Sequence, residues 1–350
     1  MKKIILDNSI EELQQVAKEL GLPAFRVSQI HKELNLYKDF SSMTAISKGL
    51  REELSNRYIA RPVEIIETLV SVDGTEKYLF KMTDGNIVEG VLMKYKYGNT
   101  QCISTQVGCR MNCAFCASGL HGLVRNLTSG EILSQVLAVN AMQGGGLGDK
   151  RKVTNLVLMG SGEPLDNYEE VMKFLRAVTD KDGLNISPRN ISLSTCGLVD
   201  KMYRLADENF SLNLTVSLHS PFDDERKEIM PVAKKYSIKE ILSACENYFK
   251  KTSRRYIFEY TLIQGKNDGK RHIQELIKLL KGKPCHLNII RLNEVKEKKL
   301  KSVTDKSAYA FCEELTKNGI SATVRRQIGV DIDGACGQLR QKYIEEGKTY

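Results

Sequence analysis

The sequence predicts an α/β protein organised around a partial or full parallel (βα) barrel, preceded by a small helical domain and a β-rich linker. Three observations predict it. Residues 1–61 carry helical periodicity, residues 62–104 carry short β-rich runs split by turn dipeptides, and beyond 104 strand and helix patterns alternate.

In the first segment Ser9 and Glu12 make a capping box ahead of EELQQVAKEL, and Pro23 opens a second helix with Val27, Ile30 and Leu34 on one face. A third helical pattern runs through ISKGLREELSNRY. The β-rich segment holds VEIIETLV, KYLFKM, NIVEGVLMKY and TQCIST, with Asp73-Gly74 and Asp84-Gly85 where hairpin turns belong. Next, Thr128 and Glu131 cap the helix SGEILSQVLAVNAM, whose end is marked by the glycine-rich loop QGGGLGDK. Strands VTNLVLM, NISLST, LNLTVSLH, RYIFEYTLI, CHLNIIR and ISATVRR then alternate with helices, among them YEEVMKFLRAV, VDKMYRLADE and RHIQELIKLL. Six or so such units with no antiparallel signals favour a barrel over an open doubly wound sheet, and barrel chemistry gathers at the carboxyl ends of the strands. The expected domains are 1–61, 62–104 and 105–350.

Hydrophobic residues make up 41% of the 350 and charged residues 27%, the balance of a globular chain with a real core. The amino terminus MKKIILDNSIEEL has no apolar h-region and no stretch reads as an uninterrupted membrane span, so a cytoplasmic protein without a membrane partner is expected. In that compartment nine cysteines point to metal or catalytic roles rather than to a disulfide framework. The net charge is +9, and residues 231–310 alone hold 19 Lys plus Arg against 8 Asp plus Glu. Such a stretch suits a polyanionic partner, because basic side chains displace counterions from phosphates, and it equally suits solvated helices on a barrel surface.

Cys109, Cys113 and Cys116 stand at C-x3-C-x2-C in GCRMNCAFCASG. Three thiolates in one loop can ligate three irons of a 4Fe-4S cubane and leave the fourth iron open. The alternative is a structural zinc site, which needs a fourth ligand, and His121 is the nearby candidate. GSGEPL, following an apolar strand, reads either as a close backbone approach to a ligand with Glu163 as acceptor, or as an ordinary strand-to-helix turn.

CRMNCAFC, with Phe115 as its aromatic, resembles the radical S-adenosylmethionine superfamily pattern. The resemblance implies a barrel of that type, a 4Fe-4S cluster on Cys109, Cys113 and Cys116, and S-adenosylmethionine chelated at the open iron and split there to a 5′-deoxyadenosyl radical. Over nearly the whole chain, MKYKYGNTQCISTQVGC, VLMGSGEPLDN, ISLSTCG, VSLHSPFDDER, IMPVAKKY and DIDGACGQL resemble the bacterial methyltransferases that act on adenine carbon-2 in 23S rRNA and tRNA. That likeness implies S-adenosylmethionine contacts at Gly162, Glu163, Ser194, Ser217, Leu218, His219 and Asn293. It departs from the family at Ser161, where many members have methionine, and after Asn293, where Glu294 replaces a frequent proline. Read without the family, these serines and the asparagine satisfy strand-end backbone, and His219 is a hydrogen-bonded core residue.

By the same resemblance Cys336 is a methyl carrier, Cys102 releases the product by attacking it, and Glu89 accepts the proton of carbon-2. The implied substrates are an adenine at the peptidyl transferase centre of 23S rRNA and one beside the tRNA anticodon. Two S-adenosylmethionine molecules are used per turnover by a monomer supplied by an external flavodoxin-like or ferredoxin-like electron donor. Relatives that methylate carbon-8 of the same rRNA adenine, a radical enzyme that does not methylate, and a zinc-stapled RNA-binding protein are the rival readings.

Overall fold

A computed structural model of the chain describes residues 2–295 and 297–332. A short strand β1 (Lys3–Ile4) leads into helices α1 (Ile10–Glu19), α2 (Phe25–Asn35) and α3 (Lys48–Arg57), and β2 (Tyr58–Ile59) returns parallel to β1. Ser9 Oγ accepts from the Glu12 amide while the Glu12 carboxylate accepts from Ser9 N, which completes the expected capping box. α2 starts two residues beyond Pro23 and buries Val27, Ile30 and Leu34 in one core with Ile5, Leu13 and Leu54.

Strands β3 (Val63–Val70), β4 (Glu76–Met82) and β5 (Ile87–Tyr95) form an antiparallel meander through the two Asp-Gly turns, where Gly74 and Gly85 have φ of +81° and +84°. There follow β6 (Gly98–Cys102), a hairpin of β7 (Gln106–Gly108) with β8 (Leu123–Asn126), then α4 (Ser129–Met142), β9 (Asn155–Leu158) and α5 (Tyr168–Val178). β10 (Ile191–Thr195), α6 (Val199–Asp207), β11 (Asn213–Ser217), α7 (Asp223–Ile229) and α8 (Ile238–Thr252) come next. The described chain closes with β12 (Tyr256–Leu262), α9 (Lys270–Leu280), β13 (Cys285–Arg291), α10 (Asp305–Lys317) and β14 (Ala322–Val324).

These strands make one ten-stranded sheet ordered β14-β13-β12-β11-β10-β9-β6-β5-β4-β3. From β6 to β14 its members are parallel and stand in chain order, without the reversal that marks a doubly wound sheet. β14 and β3 are its edges, so the barrel is partial. The stretch 62–104 extends this sheet with four strands, three pairings of which are antiparallel.

Strand register sorts the side chains into two faces. Val91, Cys102, Val157, Ser192 and Asn213 are successive partners across five strands, as are Ser217, Glu259 and Asn288 farther along. With a side-chain period of two, Leu156, Leu158, Leu193, Val216, Phe258 and Leu287 share the opposite face, fully buried in the main core with residues of the flanking helices. The concave face keeps the polar set. After β14 the chain crosses that face: Ile328 packs with Val91, Met93 and Cys102, Gly329 N donates to Asp73 (3.0 Å), and Asp331 accepts from Ser71 Oγ (2.5 Å) and Val72 N (3.1 Å). Among the described residues no helix is long and apolar enough to cross a membrane.

α4 lies between the amino-terminal helices and the sheet. Its Gly130 N donates to Asp7 Oδ1 (2.8 Å), and a Cβ on Gly130 would sit 2.7 Å from that oxygen, 2.8 Å from Ile4 Cγ2 and 3.0 Å from Asp7 N. In an open helix alanine would gain about 1 kcal/mol over glycine. Here backbone stands in its way, and overpacking costs about 1–3 kcal/mol. Gly130→Ala is therefore expected to lower the urea midpoint; a raised midpoint would mean that α4 and the amino-terminal module are not in fixed contact.

Candidate active site

The connection between β7 and β8 carries Cys109, Cys113 and Cys116. Cys109 N donates to Gly122 O (2.9 Å), Cys116 N to Cys113 O (3.2 Å), and Ala114 N to Ile229 O (2.8 Å) at the end of α7. Arg110 clamps Asp166 through Nε (2.9 Å) and Nη2 (2.5 Å), tying this loop to the one after β9. Beneath it Met111, Cys113, Ala114 and Phe115 pack on Cys196, Ile229, Met230, Ile263 and Leu292.

Burial pushes the Cys109 thiol up to about 12, with Glu163, Cys116 and Asp166 adding negative charge nearby. Burial raises Cys113 as well, and next in weight are Cys116 and Cys109. These thiols resist ionisation until cations join them, and the thiolate is the iron ligand. The donor set, three thiols that feel one another's charge, fits a 4Fe-4S cluster. Among the described residues no three His, Cys, Asp or Glu side chains converge as they would on a single metal ion, and His121 is exposed. A cubane does not ask for that convergence, because each thiolate takes a different iron.

The segment Gly160–Leu165 leaves the carboxyl end of β9. Gly162 has φ +108°, and a Cβ there would lie 2.6 Å from Gln106 Cβ and 2.8 Å from Gln106 N, so it is the chain's own β7 that demands glycine. Gln106 accepts from Glu163 N (2.8 Å) and donates to Asp166 Oδ2 and Asn126 Oδ1 (both 2.9 Å). The buried Glu163 carboxylate accepts from Leu165 N (3.0 Å) through Oε1 and from Cys196 N (2.7 Å) through Oε2. Desolvation raises its pKa against those hydrogen bonds. A carboxylate so fixed retains lone pairs for an ammonium group.

At the ends of β10 and β11, Ser194 Oγ donates to Glu259 Oε2 (3.3 Å), and Leu218 N and His219 N donate to Glu259 O (3.0 and 3.3 Å). His219 is buried in the left-handed region (φ +57°); its Nδ1 accepts from Thr261 N (2.9 Å) and its ring meets Phe115 edge-on at 4.6 Å. Burial, with Arg226 nearby, pushes His219 down to about 3. Nε2 then carries the proton. Ser217 ends β11 on the concave face, and Asn293 is exposed just past β13. Glu89 on β5 and Cys102 at the end of β6 share the concave face; Cys336 lies outside the described residues.

Three residues escaped the sequence reading. Arg226 of α7 is fully buried: Nε donates to Leu218 O (3.1 Å), and Nη2 to Cys196 O (2.8 Å) and Ser217 O (3.1 Å), while Nη1 has no hydrogen-bond partner among the described residues. In DDERKE it reads as part of a solvated charged helix. Glu259 sits buried in the apolar-looking RYIFEYTLI, its pKa raised by desolvation, with Arg325 Nη1 3.6 Å from Oε1. Lys77 in KYLFKM is fully buried, 3.1 Å from Glu89 Oε2. A charged residue inside an apolar strand run was the available signal for the last two.

The depressed His219 pKa has a consequence for stability. Unfolded, the ring titrates near 6.5; folded, near 3, so between these values the unfolded chain binds a proton that the folded chain does not. Its contribution is therefore present above about pH 6.5 and lost as pH falls toward 3. Buried Glu163 and Glu259, raised rather than lowered, act in the opposite sense. The gap in unfolding free energy between native protein and His219→Gln is expected to narrow by roughly 2 kcal/mol from about pH 7 to about pH 5. A gap independent of pH would reject a neutral, buried His219.

The radical SAM superfamily model matches residues 103–280, and the ribosomal RNA large subunit methyltransferase N-terminal domain matches residues 4–59. A probable dual-specificity RNA methyltransferase RlmN of Clostridium botulinum (strain Alaska E43 / Type E3) is 51% identical over 99% of both chains. Its namesake in Clostridium perfringens (strain SM101 / Type A) is 52% identical over 98% of both. The crystal structure of a radical SAM methyltransferase from Sphaerobacter thermophilus aligns with TM-score 0.91 and 40% identity, covering 96% of this chain and 98% of that one. A partial barrel with three thiols on the loop after its first parallel strand, and relatives of this likeness over the full length, give one conclusion: the chain belongs to the radical SAM superfamily, which implies a 4Fe-4S cluster and S-adenosylmethionine, and within it to the RlmN family of RNA methyltransferases.

Proposed function

We propose that the chain methylates carbon-2 of one adenine at the peptidyl transferase centre of 23S rRNA and of one beside the anticodon of tRNA, using two S-adenosylmethionine molecules per turnover. The observation that carries this reading is the concave face. Glu89 and Cys102 stand there on adjacent strands, and Ile328, in the segment that precedes Cys336 in sequence, packs with Cys102.

Cys109, Cys113 and Cys116 would hold three irons, with Gly162, Glu163, Ser194, Ser217, Leu218, His219 and Asn293 holding S-adenosylmethionine, and together the bound groups supply a 5′-deoxyadenosyl radical. Carbon-2 of adenine is electron-poor and has no acidic proton, so the ring cannot attack a sulfonium methyl group. Cys336 carries the methyl group instead. Loss of a hydrogen atom from that S-methyl leaves a methylene radical, which adds to carbon-2. One electron passes to the redox partner and the carbon-2 proton to Glu89, leaving the base joined to Cys336 as a thioether. The Cys102 thiolate then attacks the Cys336 sulfur, the sulfur–carbon bond breaks, and the released carbon takes a proton to become the methyl group. A Cys102–Cys336 disulfide remains, which a flavodoxin-like or ferredoxin-like donor reduces.

The target base has to be unstacked and turned into the concave face, with the basic stretch 231–310 and the amino-terminal helices as RNA-facing surfaces. His219, neutral at physiological pH, serves in position rather than as an acid. The setting proposed for this monomer is the cytoplasm, with no membrane partner.

The test is anaerobic reconstitution with labelled S-adenosylmethionine and deproteinised 23S rRNA or tRNA, followed by nucleoside analysis. The native protein is expected to yield 2-methyladenosine, Cys336→Ala none, and Cys102→Ala RNA that stays covalently attached to the protein. A carbon-8 mark alone would overturn the regiochemistry, turnover by Cys336→Ala the carrier, and a zinc-containing, iron-free protein the cluster.

A further inference from the structure

The proposed chemistry gives no task to the ammonium group beside its base. Lys77 is wholly buried on β4, and its Nζ lies 3.1 Å from Oε2 of Glu89, itself 5% exposed, on β5. Lys77 pairs in register with Val91, and Val91 with Cys102. Since side chains alternate along each strand, Lys77, Glu89 and Cys102 share one face of three adjacent strands. The one acid of β4 is engaged on the opposite face: Glu76 binds Lys94 (2.6 Å) and accepts from Tyr78 Oη (2.5 Å) and Gln143 Nε2 (2.8 Å).

Burying two charges contributes little net stability over a well-packed apolar pair of the same size. What an ammonium at this distance does supply is a fixed orientation for the carboxylate and a balancing charge where water is excluded. Both matter to a base that has to meet a carbon-bound hydrogen at a defined point.

We propose that Lys77 is a positioning residue for methyl transfer: its ammonium orients the Glu89 carboxylate and balances its charge so that Glu89 can take the carbon-2 proton of the adenine. The inference rests on the reading of Glu89 as proton acceptor. In the step concerned the carbon-2–hydrogen bond breaks and the proton moves to a Glu89 oxygen. Lys77 touches neither base nor cofactor.

The experiment compares native protein, Lys77→Met and Glu89→Gln on RNA carrying adenine deuterated at carbon-2, with rates normalised to the content of S-methylated Cys336 measured by mass spectrometry. Lys77→Met is expected to slow RNA methylation by about 10²-fold or more, within the range a positioned base contributes. It should also show a larger deuterium isotope effect than native protein, because carbon-2–hydrogen cleavage becomes rate-limiting. A native rate, or a lowered rate with the native isotope effect, would overturn the proposal. Normalisation removes misfolded protein from the comparison, and Lys77→Gln, which keeps a donor at similar length without the charge, takes the same test should Lys77→Met not carry a methylated Cys336. If Glu89→Gln matches native protein in rate and isotope effect, the reading of Glu89 itself fails; if Glu89→Gln changes both and the Lys77 variants change neither, the inference about Lys77 alone fails.

Discussion

The in-register pairing of β6, β9, β10, β11 and β12 is the constraint on which the rest depends. Neighbours that pair without slippage must present the same parity of residue on the same face, and a slip of one residue would exchange the faces completely. Leu156, Leu193, Leu214 and Phe258 can then lie together in the main core, while Cys102, Ser194, Ser217 and Glu259 face the concavity. The same hydrogen bonds that align the leucines therefore align the polar set. Packing energy on one face fixes the placement of chemistry on the other.

The charged groups at this end of the sheet are themselves buried, and burial dictates how they are held. Arg226 has three strand-end carbonyls around it in place of a carboxylate, and Glu163 has two backbone amides in place of a cation. Both groups are bound by the main chain at the carboxyl ends of strands, where parallel sheets leave peptide groups unpaired. Lys77 and Glu89, within the antiparallel extension where the ladder uses its own peptide groups, must instead balance each other. Whether a buried charge is met by backbone or by a side chain follows from where on the sheet it sits.

How much of this was legible in the sequence follows from range. Capping boxes at Ser9 and Thr128, turns at Gly74 and Gly85 and the alternation of strands and helices are set by residues a few positions apart, and they appear where the periodicity put them. The cluster loop was legible because its three thiols are also local. The antiparallel extension read as a linker, because nothing within 62–104 says that β6 will pair with β9 across more than fifty residues. Arg226 was missed for a like reason: the carbonyls that bind it belong to Cys196, Ser217 and Leu218, and its own neighbours in sequence are acids that advertise solvent. Around Gly162 the sequence offers a close approach to a ligand or an ordinary turn, and neither names Gln106, the distant residue whose crowding demands glycine there.

Radical chemistry needs reacting atoms held close and still, and the cysteine loop is fixed accordingly from several sides. Arg110 ties it to the loop after β9, Ala114 to α7, and Phe115 to His219. At the base of the hairpin Arg125 reaches both Asp84, in the β4–β5 turn, and Glu131, the capping-box acid of α4. Those two attachments connect the cluster loop to the turn between β4 and β5, the strand that carries Glu89, and to the helix on which the amino-terminal module rests through Asp7 and Gly130. The helical module is thus more than an appended surface. Through α4 and Arg125 it is joined by hydrogen bonds and ion pairs to the same hairpin that holds the thiols, so the placement of the helices and the placement of the cysteine loop are set by one connected network.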